Sequence, residues 1–224
     1  MRIFFATFIG IFITSVSFAQ NDPQGWLIYF GQTKIKTGKF AIHHELQLRD
    51  HQLIGDHNQT LLRVGLQYQA KPYLWTTVGY GFIHNEQAGS PNRPFQENRI
   101  YQEALFSHKV LRASMRHRLR LEERFIEGKD FSGRFRYCLF ADIPFTPHGL
   151  GAKGWYAALY DEIFLNLSDD ESMDFFDRNR AYLGVGYKIS DGLGIQAGYM
   201  YQNVGSANGT NHAVLSVHHQ IKWK

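Results

Sequence analysis

Arginine recurring at alternate positions is the feature of this sequence best equipped for chemistry. Between Leu111 and Phe125 the even positions are Arg112, Ser114, Arg116, Arg118, Arg120, Glu122 and Arg124. The odd positions are Leu111, Ala113, Met115, His117, Leu119, Leu121, Glu123 and Phe125. A second alternating pair, Arg134 and Arg136, follows. A guanidinium is planar, keeps its charge and can grip a carboxylate or phosphate through two parallel N–H donors. Arg116, Arg118, Arg120, Arg134 and Arg136 could therefore form a positive ladder that binds or conducts an anion. The competing arrangement is internal neutralisation, with Glu45, Glu103, Glu122 and Glu162 paired to arginines. It is the better reading, because small barrels fill their interiors with side chains. The ionic network expected on one face of the strands comprises Glu45, Arg63, Arg99, Glu103, Arg112, Arg116, Arg118, Arg120, Glu122, Arg124, Arg134, Arg136, Glu162 and Arg180.

Other reactive residues make weaker patterns. His43-His44 and His218-His219 are adjacent pairs, and neighbours on a strand point to opposite faces, so neither pair chelates by itself. Ser216 and His218 share a face about 7 Å apart, the arrangement a membrane lipid hydrolase would need, but no acid partner or oxyanion donor is identifiable. The acidic stretch Asp169, Asp170, Glu171 and Asp174 does not follow the calcium-loop spacing and reads as a solvated loop. Gly184-Val185-Gly186 and Gly192-Leu193-Gly194 are not nucleotide loops, since no helix follows; glycine there makes room for close strands and a neighbouring aromatic ring. No catalytic residue, metal ligand or cofactor is expected, and the chain is not expected to be an enzyme.

The positioning element is a strand rather than a helix. At about 100° per residue a helix would bury Arg118 and Glu122 in its apolar face, whereas a strand separates an ionic row from an oily one. About fifteen residues is long for a soluble strand, typically about 5–6, and suits a tilted transmembrane strand of roughly 9–11 residues plus overhang. The N-terminus supplies a matching address. Arg2, the apolar run Ile3 to Val16 and Ser17-Phe18-Ala19 before Gln20 read as a secretory signal peptide, residues 1–19. Residues 20–224 then form one domain. With 24 basic against 20 acidic side chains, and no basic run outside the alternating strands, nucleic acid is not an expected partner. The single cysteine, Cys138, cannot form an internal disulfide and reads as a small buried or lipid-facing residue.

Eleven alternating ribbons can be counted: residues 26–35, 40–49, 60–69, 73–84, 97–107, 111–125, 131–143, 155–167, 180–189, 193–202 and 213–223. Short links at 36–38, 70–72, 108–109 and 190–192 alternate with longer ones at 50–59, 85–96, 127–133, 168–179 and 203–211; the middling link at 144–154 is the exception. Short turns at one rim and long loops at the other is the outer-membrane pattern, and such single-chain barrels use an even number of strands. The expected fold is therefore all-β: a transmembrane antiparallel up-and-down β-barrel of twelve strands, with ten as the alternative. Trp26, Tyr29, Trp75, Tyr80, Tyr187, Tyr199, Tyr201 and Trp223 would form aromatic girdles at the membrane–water interfaces. On such a barrel Leu119→Arg should cost about 2–4 kcal/mol near the bilayer midplane and Arg120→Gln far less.

Glu97-Asn98-Arg99-Ile100, His117-Arg118-Leu119-Arg120-Leu121-Glu122-Glu123-Arg124, Arg134-Phe135-Arg136-Tyr137, Asp161-Glu162-Ile163-Phe164-Leu165-Asn166 and Asn179-Arg180 followed by Gly184-Val185-Gly186-Tyr187 carry a resemblance over essentially all of the chain from Trp26. The chain resembles a bacterial family of exported proteins carried as a domain of unknown function and grouped with outer-membrane β-barrels. The resemblance implies the fold and location, with outer-membrane lipid and the barrel-assembly machinery as partners, and brings no activity. Many barrels end on an aromatic residue, whereas here Trp223 is followed by Lys224. The functional expectation is a non-catalytic outer-membrane barrel: a small channel, receptor or structural component. The alternatives are a soluble periplasmic barrel binding an apolar ligand and a barrel lipid hydrolase.

Overall fold

A computed structural model of the chain describes residues 23–35, 38–146, 149–167, 174–205 and 209–223. The proposed signal peptide and the acidic residues Asp169, Asp170 and Glu171 lie outside the described residues. Eleven strands follow one another: β1 (Gln24–Ile35), β2 (Phe40–Asp50), β3 (His57–Lys71), β4 (Leu74–Asn85), β5 (Phe95–Val110), β6 (Ala113–Ile126), β7 (Ser132–Pro144), β8 (Trp155–Asn166), β9 (Phe176–Lys188), β10 (Leu193–Val204) and β11 (Thr210–Trp223). Each coincides with a ribbon visible in the alternation. Each pairs antiparallel with the next, and β1 meets β11 to close the barrel.

The closure corrects the expected strand number. Eleven is odd, so β1 and β11 run in the same direction and pair in parallel, from Gln24 opposite His212 to Ile35 opposite Trp223. A parallel ladder is slightly less stable per residue than an antiparallel one, but it still satisfies the backbone groups along the seam. Closure therefore does not require a twelfth strand, and the even-number expectation gives way.

Alternation along each strand sets two faces. Leu46, Leu48, Leu62, Val64, Leu66 and Val78 point outward from β2, β3 and β4. Glu45, Gln47, Arg63, Gln67 and Thr77, one residue out of phase with them, are buried inside. The alternation overruns in one place. Leu111 and Arg112 are not the start of β6 but a two-residue turn, with Leu111 at φ 54° and 99 % exposed. Both Arg112 and Leu111 thus leave the faces that their parity assigned.

The barrel interior as candidate functional site

The interior has two walls of different chemistry. The ionic wall is carried mainly by β2, β3 and β5 to β8, and Glu122 of β6 is its centre. Glu122 is 2 % exposed. Arg134 Nη2 and Arg136 Nη1 each donate to it at 2.6 Å. Arg99 and Arg120 approach within 3.7 Å and Arg63 within 4.0 Å. Five guanidiniums thus converge on one carboxylate. Alternation makes this possible: inward residues of neighbouring strands stand side by side, as Arg120 does opposite Glu103 and Arg136, and Glu122 opposite Arg134.

Around this centre the remaining charges pair locally. Arg63 donates to both oxygens of Glu45 at 2.7 Å. Arg120 donates to Glu103 at 2.5 Å. Glu162 receives Arg118 and Arg136, each at 2.7 Å. Glu97 takes Arg99 at 2.7 Å and Arg124 at 2.6 Å. Arg116 meets Asp142 at 2.7 Å and Arg134 meets Asp177 at 3.1 Å. Aromatic rings shelve the guanidiniums: Tyr101 lies 4.8 Å from Arg120, and Phe164 4.4 Å from Arg136. Charge-assisted hydrogen bonds with cation–π support are what a guanidinium needs once water has been removed.

The second wall, from β8 to β11 and β1, is largely apolar. Trp26, Ile28, Tyr156, Ala158, Tyr182, Met200 and Val214 form its buried cluster, with Phe30 and Tyr160 packed against it. Tyr160 and Tyr182 stack at 4.7 Å. Glycines leave the space these rings fill: a Cβ at Gly184 would overlap Tyr182, one at Gly186 would overlap Tyr156, and across the barrel one at Gly79 would overlap Tyr101. A cavity of about 490 Å³ lies between the walls.

Most of the expected ionic residues come together. Glu45, Arg63, Arg99, Glu103, Arg116, Arg118, Arg120, Glu122, Arg124, Arg134, Arg136 and Glu162 all make ion pairs inside the barrel. Arg112 sits in the exposed turn instead. Arg180 faces inward but donates to Gln202 rather than to a carboxylate. Glu97, Asp142, Asp177 and Arg178, which meets Asp177 at 3.0 Å, escaped the sequence reading, as did the inward Arg49, which pairs with no carboxylate among the described residues. Parity could have found all but Asp177, since Arg49 shares a face with Glu45, Glu97 with Arg99, Asp142 with Arg136 and Arg178 with Arg180. Asp177 is off phase with Arg180, near a register shift between β8 and β9, and simple alternation misses it.

Two of the proposed girdle residues are corrected. Trp26 is buried in the apolar wall, and Trp75 shares the inward row of Thr77, with Lys34 lying 5.7 Å from its ring. Tyr80 and Tyr199 are outward-facing and exposed. The histidine pairs split across the wall as strand geometry requires. His43 bonds Glu45 at 3.1 Å and His44 bonds Thr33 at 3.1 Å, while His218 bonds Ser216 and His219 bonds Tyr29. Ser216 and His218 are 3.0 Å apart, with no carboxylate within ion-pair reach of His218 among the described residues. This is a hydroxyl–imidazole contact without the acid that would orient a catalytic base.

The arrangement can hold a buried charged network around a cavity and can present guanidiniums to an anion. It shows no assembled nucleophile, base and oxyanion site among the described residues. No curated protein matches the chain. The family model described as "Protein of unknown function (DUF2490)" matches residues 23–213, from the start of β1 into β11 and therefore across the entire ionic wall. The chain, a closed β-barrel of eleven strands, belongs to the DUF2490 family.

Proposed function

We propose that this protein is exported and resides in the outer membrane as a non-catalytic barrel, a small channel or receptor whose interior is filled mainly by arginine–carboxylate pairs. One observation carries the reading: the apolar side chains face out and the charges face in. Leu46, Leu48, Leu62, Val64, Leu66 and Val78 are 37–62 % exposed and form a continuous patch on adjacent strands. Monomeric soluble proteins rarely expose contiguous apolar patches beyond a few hundred Å². Strands of 11–16 residues fit a tilted crossing of the hydrocarbon layer. The outward row is interrupted by Glu123, hydrogen-bonded by Gln102 at 3.4 Å, and by Asp161, hydrogen-bonded by Asn179 at 3.0 Å.

The test is fractionation of cells expressing the whole chain. Carbonate-washed membranes should retain the protein, and the retained form should begin at Gln20. Recovery of the mature chain as a monomer in detergent-free buffer would overturn the reading in favour of a soluble barrel.

A further inference from the structure

Among the described residues, two guanidiniums inside the barrel have no carboxylate, and they share one indole. Arg49 of β2 stands opposite Trp26 of β1 in the strand register, with its guanidinium carbon 3.7 Å from the ring centroid. Its Nε donates to Gln47 at 3.0 Å. Arg180 of β9 reaches the same ring from the other side of the seam, 4.9 Å from the centroid, and its Nε donates to Gln202 at 2.8 Å. Neither has an Asp or Glu oxygen within 4.0 Å among the described residues, whereas the guanidiniums of the ionic wall do. The omission is specific. Glu162 stands opposite Arg180 in the β8–β9 ladder but is turned to Arg118 and Arg136.

A buried guanidinium without a counter-ion is costly, and Arg180 is only 8 % exposed. Two more polar atoms beside the pair lack partners: Trp26 Nε1, which can only donate, and His212 Nδ1. The His212 ring lies 4.8 Å from the indole. Both residues are more than nine-tenths buried. An anion with several acceptor oxygens is the chemistry that these groups lack.

The surroundings specify the rest of the ligand. Past Trp26 the next inward residues of β1 are Ile28 and Phe30, past Arg180 the next on β9 is Tyr182, and past His212 the next on β11 is Val214. Four residues of strand span about 13 Å, so a mainly apolar strip of that length, edged by Ser216 opposite Ile28 and His218 opposite Phe30, leads away from the cationic pair. All but His212 of these groups line the same cavity.

We propose that Arg49 and Arg180, together at Trp26, bind the acidic head of an amphipathic anion, a carboxylate or phosphate monoester, whose apolar body lies along Ile28, Phe30, Tyr182 and Val214. The site is internal, so it stands whether lipid or water wets the outer wall, and its failure would leave the fractionation result untouched.

The full mature chain, in nanodiscs of zwitterionic lipid or, if fractionation recovers it in detergent-free buffer, in that buffer, is titrated by calorimetry with decanoate, decyl phosphate, decanol and acetate, with the nanodisc or buffer blank subtracted. Decanoate or decyl phosphate should bind saturably and at least tenfold tighter than decanol and than acetate. The double variant Arg49→Gln/Arg180→Gln should lose the preference for anion over alcohol, and Arg112→Gln, in the exposed turn outside the cavity, should keep it. Equal binding of decanol and the anions overturns the ionic head, and this comparison uses the unaltered protein, so it survives a variant that fails to fold. Acetate binding as tightly as decanoate overturns the apolar body. Retention of the preference in the double variant overturns the assignment to these two arginines.

Discussion

The two interior walls solve the same problem, filling a narrow barrel, with opposite physics. On the ionic wall each group depends on a partner. Glu122 is tolerable inside the barrel because Arg134 and Arg136 donate to it at 2.6 Å, and those arginines are tolerable because Glu122, Glu162 and Asp177 accept from them. On the apolar wall, Ile28, Met200 and Val214 need contact and volume, not specific partners. A directional network fails sharply when one member is lost, whereas a packed apolar wall yields in proportion to the volume removed. The two arginines at Trp26 lie where the walls meet, carrying the charge of one into the aromatic surroundings of the other.

The sharpest break of this contrast is Glu122→Gln, which leaves guanidiniums without their shared anion. It should cost about 3–5 kcal/mol, read as a lowered urea midpoint for the refolded protein in detergent. Leu119→Arg extends the comparison to the outer wall and should cost about 2–4 kcal/mol if that position lies near the bilayer midplane. Unfolding from lipid vesicles is the measurement, because water-exposed Leu119 would accept arginine at almost no cost. Gly79→Ala tests the fit of Tyr101 on the ionic side. Overpacking of this kind costs about 1–3 kcal/mol, seen in the same urea titration. Ile28→Val should do least, about 0.5–1.5 kcal/mol, because the apolar wall loses one methylene and no partner. If Ile28→Val proved as damaging as Glu122→Gln, the distinction between the walls would fail.

The fold was legible because alternation is a one-dimensional record of a two-faced wall. Leu119 against Arg120 and Leu66 against Gln67 assign inside and outside without any knowledge of neighbours. Register and partner choice were not legible, because they depend on strands distant in sequence. Nothing local says that Glu162 serves Arg118 and Arg136 and leaves Arg180 to Gln202. The burial of Trp26 is of the same kind, since an aromatic near a strand end reads as an interface anchor until its inward phase is known. Arg112 shows the limit of parity, which continues across a turn where the backbone does not. Arg120 shows a second limit. A charged residue facing a wet lumen would be cheap to neutralise, but Arg120 is 2 % exposed and bound to Glu103, so Arg120→Gln belongs with the costly network changes.

The central claim is that the leucine face of β6 meets acyl chains. Nitroxide labels placed singly at positions 117 to 122, in a Cys138→Ser background reconstituted into bilayers, can be relaxed by oxygen dissolved in lipid and by a water-soluble nickel complex. Collision with oxygen should rise at 119 and 121 and fall at 118, 120 and 122, repeating every second residue. Preferential relaxation by the nickel complex at 119 and 121 would contradict the account.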